Sequence, residues 1–201
     1  MQIPKAAIGW RSARASARLA TLGLALVGVL LVAPVVSAYD KPPELQRVAA
    51  VFAMREAEVR CPSTEEWIHD PIWGTDPNPS RAWGYTDMLN EHIVLHPALC
   101  AGALAVADSG VPPWQRATGV LVLVHESYHM RLWPLRRNES KVECHAIRHF
   151  KVGARLLGAS PELANELLPY ALAAHARMGR LYPEYRDDRC KVPLWAPPFV
   201  P

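Results

Sequence analysis

The order of hydrophobic and polar positions along the chain predicts a series of helices broken by one short strand. Over residues 44–60, Leu45, Val48, Phe52 and Val59 recur at a roughly helical period, which predicts a first helix. Residues 61–87 lose that period and concentrate Pro, Gly, Asp and Trp, the composition of a long loop. Ile93-Val94-Leu95, flanked by His92 and His96 and preceded by the turn-rich Trp83-Gly84-Tyr85-Thr86-Asp87, reads as a short strand. Gly119 to Val124 is wholly apolar, and its pattern alone fits a buried strand or a buried helix. Length decides for the helix. Trp114 to Leu132 runs nineteen residues without proline, between Pro112-Pro113 and Trp133-Pro134, and nineteen residues are long for a strand. A further helix is predicted over residues 138–157, ended by Gly158. Another opens at Ser160-Pro161, an N-cap serine with proline at the first helical position, and runs to Gly179. Residues 181–201 are proline-rich and irregular. The fold class expected is mainly α with a small β-sheet (α+β).

The first 38 residues have a different character. Lys5, Arg11, Arg14 and Arg18 precede an uncharged apolar stretch over 19–36, and Val36-Ser37-Ala38 forms a small-residue cleavage site. Eighteen apolar residues also approach the length of a membrane-spanning helix. Residues 1–38 are therefore a signal peptide or an N-terminal anchor, the second giving membrane association through 19–36. In either case the chain is exported, to be secreted or kept in the cell envelope, and residues 39–201 form one domain. The formal charge of +3 includes those four basic residues and no acidic one, so the remainder carries 3 − 4 = −1. No basic patch is left to suggest a nucleic-acid partner.

Cys61, Cys100, Cys144 and Cys190 all lie in the exported part, and an even number there reads as two disulfides with three pairings open. For Cys144, a bridge to Cys190 or Cys61 is favoured over a role as metal ligand or reactive thiol. Trp67, Trp73 and Trp83 are expected as core and loop anchors, with a carbohydrate platform as the alternative.

The chemistry is carried by His125-Glu126-Ser127-Tyr128-His129, an HExxH motif. With 8 His and 12 Glu in 201 residues, about 0.02 such matches are expected by chance in a chain of this composition. On a helix, His125 and His129 share a face one turn apart and can reach one Zn²⁺. Glu126 beside them stands where a general base takes a proton from the attacking water. In a strand the two histidines would be about 13 Å apart, so the motif depends on the helix. Downstream, Glu139 and Glu143 are also four apart and share a helix face. His145 and His149 fall away from that face, as a solvated helix side or a second metal pair.

Asn138, Glu139, Glu143 and Ala146 make the chain resemble the gluzincin branch of HExxH zinc metallopeptidases over residues 114–158. There the second helix carries Asn-Glu-x-x-x-Asp/Glu, often with a small residue three positions on. The resemblance implies Glu139 as the third ligand beside His125 and His129, and Glu143 as the carboxylate that hydrogen-bonds a metal-bound histidine. Val142 stands where that family has a small residue, and only nine residues separate His129 from Glu139, which keeps Glu143 open as the alternative ligand. The metzincin branch is excluded by Leu132 and Leu135. The resemblance also implies a zincin-like arrangement in which the strand near Ile93 is an edge beside the cleft, available to an extended peptide. His175, Tyr170 and Tyr185 are candidates to steady a developing oxyanion.

These features predict an exported, zinc-dependent peptidase acting on a peptide or protein substrate. Two rivals belong to other classes. One is a non-catalytic zinc-binding envelope protein, whose fourth metal position would be closed by Cys144 or His145. The other is a disulfide-stabilised binding protein without metal, in which Glu139 and Glu143 point to solvent.

Overall fold

A computed structural model describes residues 39–70, 83–131, 138–186 and 190. The leader read from the sequence, residues 1–38, lies outside the described residues, as do Trp73, the link 132–137 between the two motif helices, and residues 191–201. Among the described residues no helix is long and apolar enough to cross a membrane. Mostly helix with a small sheet, the fold has the class that the pattern predicts.

Helix α1, Pro43–Ala53, starts on the proline and buries Leu45, Val48, Ala49, Phe52 and Ala53. It stops seven residues earlier than the periodicity predicts. Met54 adopts a left-handed conformation, φ 56°, and the chain re-emerges as strand β1, Glu58–Arg60. Val59 is buried from that strand rather than from the helix, and its spacing from Phe52 matches two helical turns by coincidence. The loop predicted over 61–87 also holds structure. Ser63 caps a five-residue helix α2, Thr64–Ile68, with a reciprocal capping box to Glu66. Strand β2, Gly84–Asp87, then precedes strand β3, His92–Leu95.

The sheet order is β1-β3-β2, with β1 parallel and β2 antiparallel to β3. The strand near Ile93 is therefore central and fully buried, and β2, not β3, is the outer strand beside the motif helix. The edge-strand reading of residues 92–95 is corrected accordingly. Their unbroken apolar run is the pattern of a strand covered on both faces.

Helix α3, Pro97–Leu104, was hidden because its apolar and small residues show no period. It lies against helix α4, Pro113–Arg131, which is buried from Arg116 to Met130 and touches α1, α3, α5, α6 and the sheet. A helix apolar on every side belongs at the centre of a core. Its crossing with α3 is close because both helices carry glycine there. A methyl at Gly119 would collide with the carbonyl oxygen of Leu99 and the amide of Ala103, and one at Gly102 with the carbonyl of Gln115. Gly119→Ala is therefore expected to lower stability by about 2 kcal/mol, since overpacking outweighs the gain in helix propensity. A urea midpoint for the metal-free variant at or above the wild-type value would show that α3 and α4 separate without cost.

Helix α5, Glu139–Leu156, begins at Asn138, whose side chain accepts from the Lys141 amide at 3.0 Å. Gly153 lets it approach Val124 of α4, where a Cβ would come within 2.7 Å of the valine methyl. Helix α6, Pro161–Leu181, is capped by Ser160 as predicted and continues past Gly179 before a 3₁₀ turn, Pro183–Tyr185.

The disulfides are Cys61–Cys100, joining the end of β1 to α3, and Cys144–Cys190, joining α5 to the C-terminal segment. The second is one of the two bridges expected for Cys144. Their sequence separations of 39 and 46 residues correspond to about 4 kcal/mol of loop-closure entropy each. Paired disulfides of this kind form and persist in oxidising compartments, which agrees with an extracellular environment.

Candidate metal centre

The apolar segment Val120–Val124 drives α4 into the core, and the polar motif follows at once on the same helix. His125, Glu126 and His129 are thus all buried. Buried ionisable groups of this density need partners or a cation. One ligand atom from each of the three lies within 4.8 Å of the others, and this group could hold a metal ion.

Both glutamates of α5 meet that group. Glu139, in the first turn of α5, places Oε2 3.2 Å from Nε2 of His125 and 3.2 Å from Nε2 of His129. The two Nε2 atoms are 2.9 Å apart. Three ligand atoms held at metal–ligand distances near 2.0–2.1 Å by a tetrahedral ion are separated by about 3.3 Å, close to this triangle. Glu126, adjacent to His125, belongs to the same cluster, but its carboxylate is engaged elsewhere. The Thr86 hydroxyl on β2 lies 2.8 Å from Glu126 Oε2 and 2.9 Å from the Glu126 carbonyl. Glu139 Oε2 stands symmetrically about both imidazoles.

One turn along α5, Glu143 is buried with Oε2 2.7 Å from His125 Nδ1 and Oε1 3.0 Å from His175 Nδ1. With Nδ1–H donating to Glu143, it is the neutral form of His125 that presents an Nε2 lone pair to the triangle. Glu139 and Glu143 therefore do not point to solvent, contrary to the metal-free rival.

Burial disfavours charge on every member, yet mutual pairing overrides it. Burial pushes His125 down, but its hydrogen bonds to Glu139 and Glu143 lift it to about 10. His129 is also raised, burial again opposing the hydrogen bond to Glu139 and the charge of Glu126. Burial pushes Glu143 up, but bonds to His125 and His175 hold it near 2. Glu139 lies well below the carboxylate range, with burial outweighed by His125 and His129. Without another cation, then, the carboxylates keep protons on the imidazoles, and a divalent ion can replace those protons.

The remaining candidates separate clearly. Tyr185 lies over His125, ring centroids 5.6 Å apart and planes 20° from parallel. His175 acts on Glu143, while Tyr170 is exposed on α6. His145 and His149 are not a solvated face. Half-buried, they stack near Tyr128, whose hydroxyl is 3.0 Å from His149 Nδ1. His92 is buried beside Arg60, and His96 caps α3 by accepting from the Ala98 amide. Trp67 is buried with its ring edge against His96, which removes it from a carbohydrate platform. Thr86 was not foreseen, since it lies in a segment that reads as a turn.

No protein-family model matches the chain, and comparison with curated proteins and with solved structures likewise produced no match.

Proposed function

We propose that this chain is an exported zinc-dependent peptidase, with His125, His129 and Glu139 as metal ligands and Glu126 as general base. The observation that carries the reading is the triangle of His125 Nε2, His129 Nε2 and Glu139 Oε2, with sides of 2.9, 3.2 and 3.2 Å. Two imidazoles and one carboxylate form a donor set suited to Zn²⁺ with one position open, the arrangement of catalytic rather than structural zinc. Of the two residues that could close that position, Cys144 is committed to a disulfide and the His145 ring lies against Tyr128.

When bound, zinc supplies a Lewis acid that acidifies water and polarises a carbonyl. The chain's own groups do the rest. Glu126 takes the proton of the attacking water and can deliver it to the departing amine, while Thr86 holds its carboxylate in aim. Glu143 holds His125 in the tautomer that presents Nε2. Among the described residues β2 pairs only with β3, so its outer side offers an extended substrate the edge that Thr86 already places beside Glu126.

The test is metal content by mass spectrometry on purified protein, wild type beside His129→Ala and Glu139→Gln. About one zinc per chain in wild type, with affinity lowered by an order of magnitude or more in both variants, is the expected result. Wild type reconstituted with zinc yet holding no stoichiometric metal would sink the proposal and leave a disulfide-held binding module.

A further inference from the structure

The C-terminal 3₁₀ turn has no part in the chemistry just proposed, yet it reaches into the metal centre. After α6 the backbone of Tyr182 is extended, and the amides of Tyr185 and Arg186 donate to the carbonyls of Tyr182 and Pro183, each at 3.0 Å, to close the turn. The turn packs on both α5 and α6. On the α5 side the chain is fixed covalently. Cys190, five residues beyond Tyr185, is bridged to Cys144, the neighbour of Glu143. Five residues span at most about 17 Å even when extended, so the bridge restricts where Tyr185 can go.

The tyrosine meets one of the proposed ligands. Its ring covers the His125 imidazole, with centroids 5.6 Å apart and planes 20° from parallel. Stacked rings limit how far the imidazole can turn.

We infer that Tyr185 is a positioning residue of the metal centre, its ring seating His125, with the Cys144–Cys190 bridge holding the turn that carries it. This rests on the reading of His125 as a metal ligand. The disulfide then contributes to metal retention as well as to folding.

The experiment is zinc transfer from the loaded full chain to a chromophoric chelator, run beside cobalt spectra. Tyr185→Ala is expected to bind one metal, release zinc about tenfold faster and shift the Co²⁺ absorption bands, while Tyr185→Phe, which keeps the ring, stays at the wild-type rate. The Cys144→Ser/Cys190→Ser double variant also releases zinc faster, and adding Tyr185→Ala to it changes little more, because both act through one contact. Wild-type release rates and unchanged cobalt spectra in Tyr185→Ala would overturn the inference while leaving the metal centre intact. Independent, multiplying effects of the cysteine and tyrosine changes would overturn the role given to the bridge. No metal in the wild type overturns both this inference and the proposed function.

Discussion

Glu126→Gln is expected to lower peptide hydrolysis by about 10³-fold while the protein keeps its zinc. Glutamine has the shape of glutamate and can still accept from the Thr86 hydroxyl, which lies 2.8 Å from Glu126 Oε2. What it loses is the capacity to take a proton. His125 and His129 stay buried on α4, and Glu139 still lies 3.2 Å from both imidazoles, so metal content is unaffected. The measurement pairs kcat on an unstructured protein substrate with metal per chain. It also separates the two carboxylates close to the histidines. Loss of zinc from Glu126→Gln, with Glu139→Gln unaffected, would make Glu126 the ligand and remove it as a base. Full activity in a zinc-loaded Glu126→Gln would end the general-base assignment.

The sequence exposed this centre unevenly, for physical reasons. The motif helix was legible because a nineteen-residue proline-free span between Pro112-Pro113 and Trp133-Pro134 leaves little choice, although its apolar run resembles a strand. Glu139 and Glu143 were legible by spacing, since four residues on a helix bring two side chains to one face. Glu139 as against Glu143 was not. That depends on where α5 lies relative to α4, which Gly153 and the helix start at Asn138 determine in three dimensions. Thr86 was hidden in a glycine-containing segment of four residues, too short to show alternation. Its position comes from pairing with β3, a contact distant from α4 in sequence. Helix α3 escaped because Ala, Leu, Cys and Gly in succession leave every face similar. Tyr185 follows a helix that ran beyond its apparent glycine stop, and only the Cys144–Cys190 pairing, one of several open from spacing, brings its segment back to the site.

Metal loading is expected to reverse how stability depends on pH. In the metal-free protein His125 titrates near 10, above its ordinary value of about 6.5. Its contribution is complete below about pH 6.5 and fades as pH rises toward 10. Glu143, held near 2, contributes above its ordinary value of about 4.5 and loses that as pH falls toward 2. The metal-free chain should therefore be most stable between about pH 4.5 and 6.5. Zinc requires unprotonated imidazoles, so protons compete with it and its uptake near neutrality releases protons. Free zinc at a thousandfold excess over Kd adds about 4 kcal/mol, and that increment must shrink as acid weakens binding. Calorimetric melting of chelator-stripped and zinc-loaded protein between pH 5 and 8.5 should give curves that converge at the acid end and diverge with rising pH. Zinc titration in weak buffer should register the released protons. A gap between the two forms that does not change with pH, or uptake without proton release, would mean that the metal does not displace protons from His125 and His129, and the triangle of ligands proposed here would fail with it.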